Sequence, residues 1–167
     1  MPRLSATVGV FVCWLLFTVA LAASCSALAQ NAAPTGAFAK TRWVVADGYC
    51  PVGCAALVSD FIKAQVGTAV TLSNNQFSAP FLDPCSGTVH FQYATLETRQ
   101  LASELSQGLS GKKQFTAENM RLASPRVLTA LALCNSDGSD STMARILSIE
   151  PDRIRVLFEG WSIIELR

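Results

Sequence analysis

The sequence predicts an α+β fold: an antiparallel, curved sheet or small barrel-like meander with one or two packed helices, stapled by disulfides. Three observations carry this. Short β-prone runs separated by turn signals fill the C-terminal part of the chain. One stretch, between Gly53 and Gly67, has clear helical periodicity. Four cysteines, Cys50, Cys54, Cys85 and Cys134, lie downstream of an export signal.

The export signal occupies residues 1–29. Arg3 supplies a basic start, an apolar run follows from Val8 to Ala23, and Ala27-Leu28-Ala29 closes it with small residues. This is the pattern of a secretory signal peptide, with cleavage expected before Gln30. The apolar run is shorter than the roughly 20 residues of a spanning helix. Leu21-Ala22-Ala23-Ser24-Cys25 resembles the bacterial lipobox but has Ala22 where leucine is usual. Lipidation of Cys25 would make the product an anchored envelope protein with a structural role.

Beyond the signal, 30–36 reads as a flexible leader and 37–167 as a single globular domain. The 138 residues left after cleavage (167 − 29) suffice for one core burying about two-thirds of the unfolded chain's surface. With Arg3 removed, twelve basic side chains face twelve acidic ones, so the mature chain is neutral. It has no basic block, which argues against nucleic acid as a partner and against a membrane surface once the signal is removed.

Within the domain, Arg42-Trp43-Val44-Val45-Ala46 is a first strand ended by the turn signal Asp47-Gly48. Leu57, Val58, Phe61, Ile62 and Val66 recur at three- and four-residue spacing, predicting one buried helical stripe with Gly67 at its end. Thr68–Leu72 is a second strand. Thr88–Tyr93 alternates cleanly, with Val89, Phe91 and Tyr93 on one face and Thr88, His90 and Gln92 on the other. A second helix is expected from about Leu96 to Gln107, carrying Leu101, Ala102 and Leu105 on one face, followed by a polar turn at Gly111-Lys112-Lys113.

Val127–Leu133 is apolar on every side, which suits either a buried strand or a helix opened by Ser124-Pro125; the β-rich context favours the strand. Met143–Ser148, Arg153–Phe158 and Trp161–Leu166 complete a meander. In the middle run Ile154, Val156 and Phe158 alternate against Arg153, Arg155 and Leu157.

This pattern resembles a lipocalin or calycin barrel, through Trp43 on the first strand, the C-terminal meander and Arg167 at the end. The resemblance implies that Trp43 stacks against Arg167 at the closed end of the barrel. The chain departs from the family's Gly-x-Trp, having Thr41-Arg42-Trp43, and its early helix is unusual there.

Cys50-Pro51-Val52-Gly53-Cys54 admits three uses. A redox centre would need two intervening residues rather than three. A zinc site would need more ligands than His90, the only histidine, readily supplies. A covalent staple needs only an oxidising compartment and an even cysteine count. Staples are therefore expected, and two long-range bonds pairing Cys50 and Cys54 with Cys85 and Cys134 are favoured over a bond closing the tiny Cys50–Cys54 loop.

Candidate chemistry is sparse. His90 is the obvious general base, with Asp83 or Glu97 as the carboxylate beside it. Asn135–Asp140 has calcium-like composition but the wrong spacing for an EF-hand, and reads as a hairpin turn. Trp43, His90, Phe91, Tyr93 and Trp161 are candidates to line a ligand pocket, although core packing is the default role of such aromatics. No nucleotide, metalloprotease or serine-hydrolase motif appears, so neither a cofactor nor a metal is expected.

The function expected from these features is a non-enzymatic, periplasmic or secreted binding or inhibitor module. Its partner would be a small apolar ligand or another envelope protein. An enzyme built on His90 and a nearby carboxylate is the alternative. The oligomeric state is not legible.

Overall fold

The computed structural model describes residues 36–109 and 113–167. The expected signal peptide, Cys25, the leader up to residue 35 and the Gly111-Lys112 part of a turn lie outside the described residues. The elements run β1 (Arg42–Tyr49), α1 (Ala56–Ala64), β2 (Ala69–Ser73), β3 (Gln76–Ser78), β4 (Thr88–Glu97), α2 (Thr98–Ser106), β5 (Arg126–Ser136), β6 (Ser139–Glu150), β7 (Arg153–Phe158) and β8 (Ser162–Leu166).

The eight strands form one antiparallel sheet in the order β3-β2-β1-β8-β7-β6-β5-β4. Neighbours in sequence are neighbours in space, and β1 closes on β8. The result is a nearly closed, barrel-like meander with a seam where β3 approaches β4 without a ladder among the described residues. Two hairpins use paired positive-φ residues, Asp137-Gly138 and Glu159-Gly160. That is the primed turn whose twist matches the flanking strands. Asn135–Asp140 is thus the β5–β6 turn region.

Trp43, Val45, Val70, Leu72, Phe77, Ala132, Ile146, Ile154, Val156, Ile164 and Leu166 fill the inside. A second cluster covers part of the outside. There α2 and the segment that follows it lay Leu101, Phe115, Met120 and Leu122 against Val127, Leu147 and Ile163 of the sheet. This explains why β5 is apolar on every side: Ala130 and Ala132 face the interior, while Val127 lies under the outer cover. The strand assignment holds because ladders to β4 and β6 satisfy its backbone on both edges.

Five expectations are corrected. Asp47-Gly48 does not end β1. A register shift between Val45 and Asp47 absorbs the irregularity, and pairing with β8 continues to Tyr49. Gly48 is needed there for closeness rather than for a turn, because an added Cβ would lie 3.1 Å from the Ile62 carbonyl oxygen.

The α1 stripe is not buried as a whole. Ile62 is fully buried, but Leu57 is 84% exposed, and Phe61 and Val66 are exposed as well. A helix of nine residues laid along one strand meets the core through a narrow edge, so periodicity marks more residues than the barrel can cover.

β4 runs four residues further than expected, through Glu97. Continuous pairing to Arg126 delays α2 to Thr98.

The fourth correction concerns the disulfides, which are Cys50–Cys54 and Cys85–Cys134. The first is local. Gly53 takes φ +78° and its N–H donates to the Cys50 carbonyl at 3.1 Å, folding the chain back between β1 and α1. The second is long-range: β4 pairs Val89 with Cys134, which brings the end of β5 beside the loop entering β4. Two disulfides are the covalent mark of an oxidising compartment.

Nor do Trp43 and Arg167 stack. The cation over the Trp43 ring is Lys40, 4.5 Å from the centroid, and the Trp43 Nε1 donates to the Lys40 carbonyl at 3.0 Å. Strand alternation turns Leu166 inward and therefore Arg167 outward, where it meets Glu165 at 2.8 Å.

Candidate functional site

The outer face of β7 and β8 carries the densest charge constellation. β7 alternates Arg153, Ile154, Arg155, Val156, and β8 ends Ile164, Glu165, Leu166, Arg167. The apolar members point inward, so the three arginines and the glutamate share the outer face, with Arg155 directly opposite Glu165 in the ladder. The cover segment then adds Arg121.

Arg121 sits at the end of a short helical turn. The Leu122 N–H donates to the Ala117 carbonyl at 2.8 Å and the Arg121 N–H to the Glu118 carbonyl at 2.9 Å. This is a Schellman-type ending, and Arg121 occupies its left-handed position with φ 56°, where glycine is the usual residue. Its guanidinium lies 3.8 Å above the Tyr49 ring and donates to Asp47 at 2.6 Å. That bond holds the Arg121 pKa above its ordinary value. Burial pushes the Tyr49 hydroxyl up, against the lowering effect of Arg155 and Arg121. The same hydroxyl donates to the Met120 carbonyl at 3.0 Å, tying the cover to β1.

Arg155 is 2% exposed. Its Nη1 donates to Ser148 at 3.1 Å and to Glu150 at 2.6 Å. Its Nε stands 3.5 Å from Glu165 and has no hydrogen-bond partner, as is also true of the Arg153 Nε, 3.6 Å from Glu165. The carboxylate, 3% exposed, is instead held by Nε and Nη2 of Arg167 at 3.0 and 2.8 Å. Arg121, Arg153, Arg155 and Arg167 line a cleft of about 370 Å³ together with Asp47 and Glu165. An adjoining cleft of about 350 Å³ shares Arg121, Arg153 and Arg155 and adds Arg126, Ser124, Ser148 and Glu150.

The residues singled out in the sequence lie elsewhere. His90 is half-buried on the outer face of β4, and its Nε2 is 3.1 Å from Asp140 of the β5–β6 hairpin. Neither expected carboxylate partners it: Glu97 is at the far end of β4, bound to Arg99, and Asp83 lies in the loop before β4. The β4–β5 register decides this by placing Thr88 opposite Asn135, whose Nδ2 donates to Asp140 at 2.7 Å.

Trp43 and Tyr93 are buried, and Phe91 is half-buried among Phe38, Phe77 and Tyr93. Trp161 is exposed on the β7–β8 turn. Beside that turn, Phe158 stacks on Phe61 of α1 at 5.5 Å. Leu57 and Phe61 of α1 and Trp161 of the turn are exposed apolar side chains towards the barrel end that also carries both disulfides. The four cysteines of the described residues are all consumed in those bonds and carry no free thiol.

Sequence reasoning passed over Arg121, Arg153, Arg155 and Glu165. The available signal was charge at alternate positions in two apolar runs, Arg153-x-Arg155 and Glu165-x-Arg167, where a solvated face carries mixed polar residues. Comparison with protein-family models, with curated proteins and with solved structures returns no match to this chain.

Proposed function

We propose that the chain is an exported, non-enzymatic binding module that docks on another protein of the periplasm or extracellular space, as an inhibitor or accessory factor. The observation that carries this is the exposed apolar surface of α1 and the β7–β8 turn: Leu57 is 84% exposed, Phe61 42% and Trp161 41%. Large apolar side chains clustered at the surface mark interaction sites, and aromatic residues are the usual anchors of protein interfaces. This surface is also preorganised. Cys50–Cys54 fixes the entry to α1 and Cys85–Cys134 fixes the neighbouring loop, which lowers the ordering cost of binding.

The test is a photo-reactive residue placed at position 57 and, as control, at position 90 in the native cell. One discrete heterologous adduct at 57, absent at 90 and abolished by Trp161→Asp in a folded protein, supports docking. No adduct at 57, or equal labelling at both sites, overturns it.

A second reading is a lipocalin-like carrier of a small apolar ligand. It is favoured by the β3/β4 seam, where a cleft of about 610 Å³ is lined by Phe77, Leu82 and Val89 beside the aromatic core. Displacement of a fluorescent fatty-acid probe, with quenching of Trp43, tests it. An absence of saturable probe binding removes the carrier reading.

A further inference from the structure

We propose that the arginine-lined cleft on the outer face of β7 and β8 is a binding site for a doubly charged tetrahedral oxyanion, phosphate or sulfate, free or as the terminal group of a larger molecule. The inference stands apart from the docking proposal, because the cleft and the α1 surface lie at opposite ends of the barrel: Arg153 and Arg167 flank the β6–β7 turn and the end of β8, whereas Trp161 is on the β7–β8 turn.

Charge comes first. Arg121, Arg153, Arg155 and Arg167 face only Asp47 and Glu165 in the first cleft, an excess of two positive charges (4 − 2). Adding the adjoining cleft brings Arg126 and Glu150 and leaves the same excess (5 − 3). In a mature chain of zero net charge, this places a dianion's worth of countercharge in one recess.

Donor geometry comes next. Arg155 is 2% exposed and its Nε, like that of Arg153, has no hydrogen-bond acceptor, although Glu165 is 3.5 Å away. Buried guanidinium N–H groups are normally satisfied, and an orphan costs the full desolvation of the donor. Glu165 is turned to Arg167 instead, so one carboxylate is shared among three guanidiniums and saturates one. Planar guanidinium forks match the oxygen edges of phosphate and sulfate.

Backbone strain agrees with this. Arg121 holds a left-handed conformation that glycine would adopt at lower cost, and what the arginine gains there is a place on the rim of the cleft. The hydroxyl of Ser148, which accepts from Arg155, lines the adjoining recess as a further donor.

The test is titration calorimetry at pH 8 and fixed ionic strength with inorganic phosphate, glycerol 1-phosphate and acetate. At this pH a phosphomonoester carries close to two charges, its second pKa being about 6. The expected result is saturable one-to-one binding of phosphate with acetate at least tenfold weaker. Arg153→Gln and Arg121→Gln should each weaken phosphate on the order of tenfold, the effect of one hydrogen bond to a charged group. Arg99→Gln, remote and exposed, should change it less than twofold. Glycerol 1-phosphate binding as well as phosphate assigns the site to a terminal phosphate; glycerol 1-phosphate binding tenfold more weakly assigns it to the free anion. Absence of saturable phosphate binding, parity of acetate with phosphate, or an unchanged affinity in Arg121→Gln overturns the proposal. Far-UV circular dichroism identifies any variant that fails to fold, and Arg121→Gln, on the exposed rim, decides the matter if Arg153→Gln does.

Discussion

The inner and outer faces of the β7–β8 hairpin are made by alternate residues of the same two strands, and both are buried. Inside, Ile154, Val156, Ile164 and Leu166 are completely covered. Outside, Arg155 and Glu165 are nearly as well covered, at 2% and 3% exposure. The two burials differ in what they do for the fold. Each covered apolar side chain stabilises by about 1.5–3 kcal/mol relative to leaving it in water. A covered ion pair must first recover the desolvation of both charges, and often breaks even against an apolar replacement. With two guanidinium Nε groups left without acceptors, the outer face is not organised for stability alone. That is the face to which the oxyanion proposal assigns a ligand.

Substitutions on either face test this difference in burial. On the inner face, Trp43→Ala should cost about 3–5 kcal/mol, read as a lowered denaturation midpoint, because it empties the largest fully buried side chain. On the outer face, Glu165→Leu alone should cost about 3–5 kcal/mol, because it removes the buried carboxylate that faces Arg153, Arg155 and Arg167 and leaves buried Arg155 only Glu150. The double variant Arg155→Met/Glu165→Leu should recover most of that loss. A double variant as unstable as the single would mean that the pair itself stabilises the hairpin.

A smaller effect tests a polar group left unpaired on the inner side. The Tyr93 hydroxyl is buried without a partner, and burial pushes its pKa up to about 12 from the ordinary 10.0. The folded state therefore resists losing this proton, while the unfolded chain loses it near pH 10.0. Stability should fall by up to about 1.4 kcal/mol per pH unit between those values. Tyr93→Phe should remove that alkaline loss and leave stability near neutrality unchanged or raised by about 1 kcal/mol, as an unpaired hydroxyl disappears. Urea titrations at pH 7 and pH 11 measure both parts.

The smallest effect belongs to a half-exposed outer pair. Arg145 donates to Glu104 at 2.7 Å and holds its carboxyl below the ordinary 4.5. This contribution is present above pH 4.5 and is lost as pH falls through the lowered value. Glu104→Gln should cost about 0.2–1 kcal/mol at neutral pH, and the difference from wild type should vanish in acid. A cost as large as that of Glu165→Leu would erase the distinction between covered and solvated charge.

How far the site could be read in advance follows from the same alternation. Ile154 and Val156 were legible as a buried face because a two-residue period survives any change of register by two. Their companions Arg153 and Arg155 look like a solvated face on that logic. Only the segment of Arg121 and Leu122, many residues distant, comes against them, leaving Arg155 buried and Arg153 half-buried. Likewise the period of α1 was legible, but which of Leu57, Phe61 and Ile62 is buried depends on where the helix crosses Gly48.

By itself the sequence determined the fold class, most of the strands, the inward face of β4 and the presence of staples, because these rest on local period, turn chemistry and cysteine count. Tertiary structure alone decided which cysteines pair, which carboxylate meets His90 and that four guanidiniums share one recess. Each depends on ladder register or on a distant segment laid over the sheet, and neither leaves a mark in neighbouring residues.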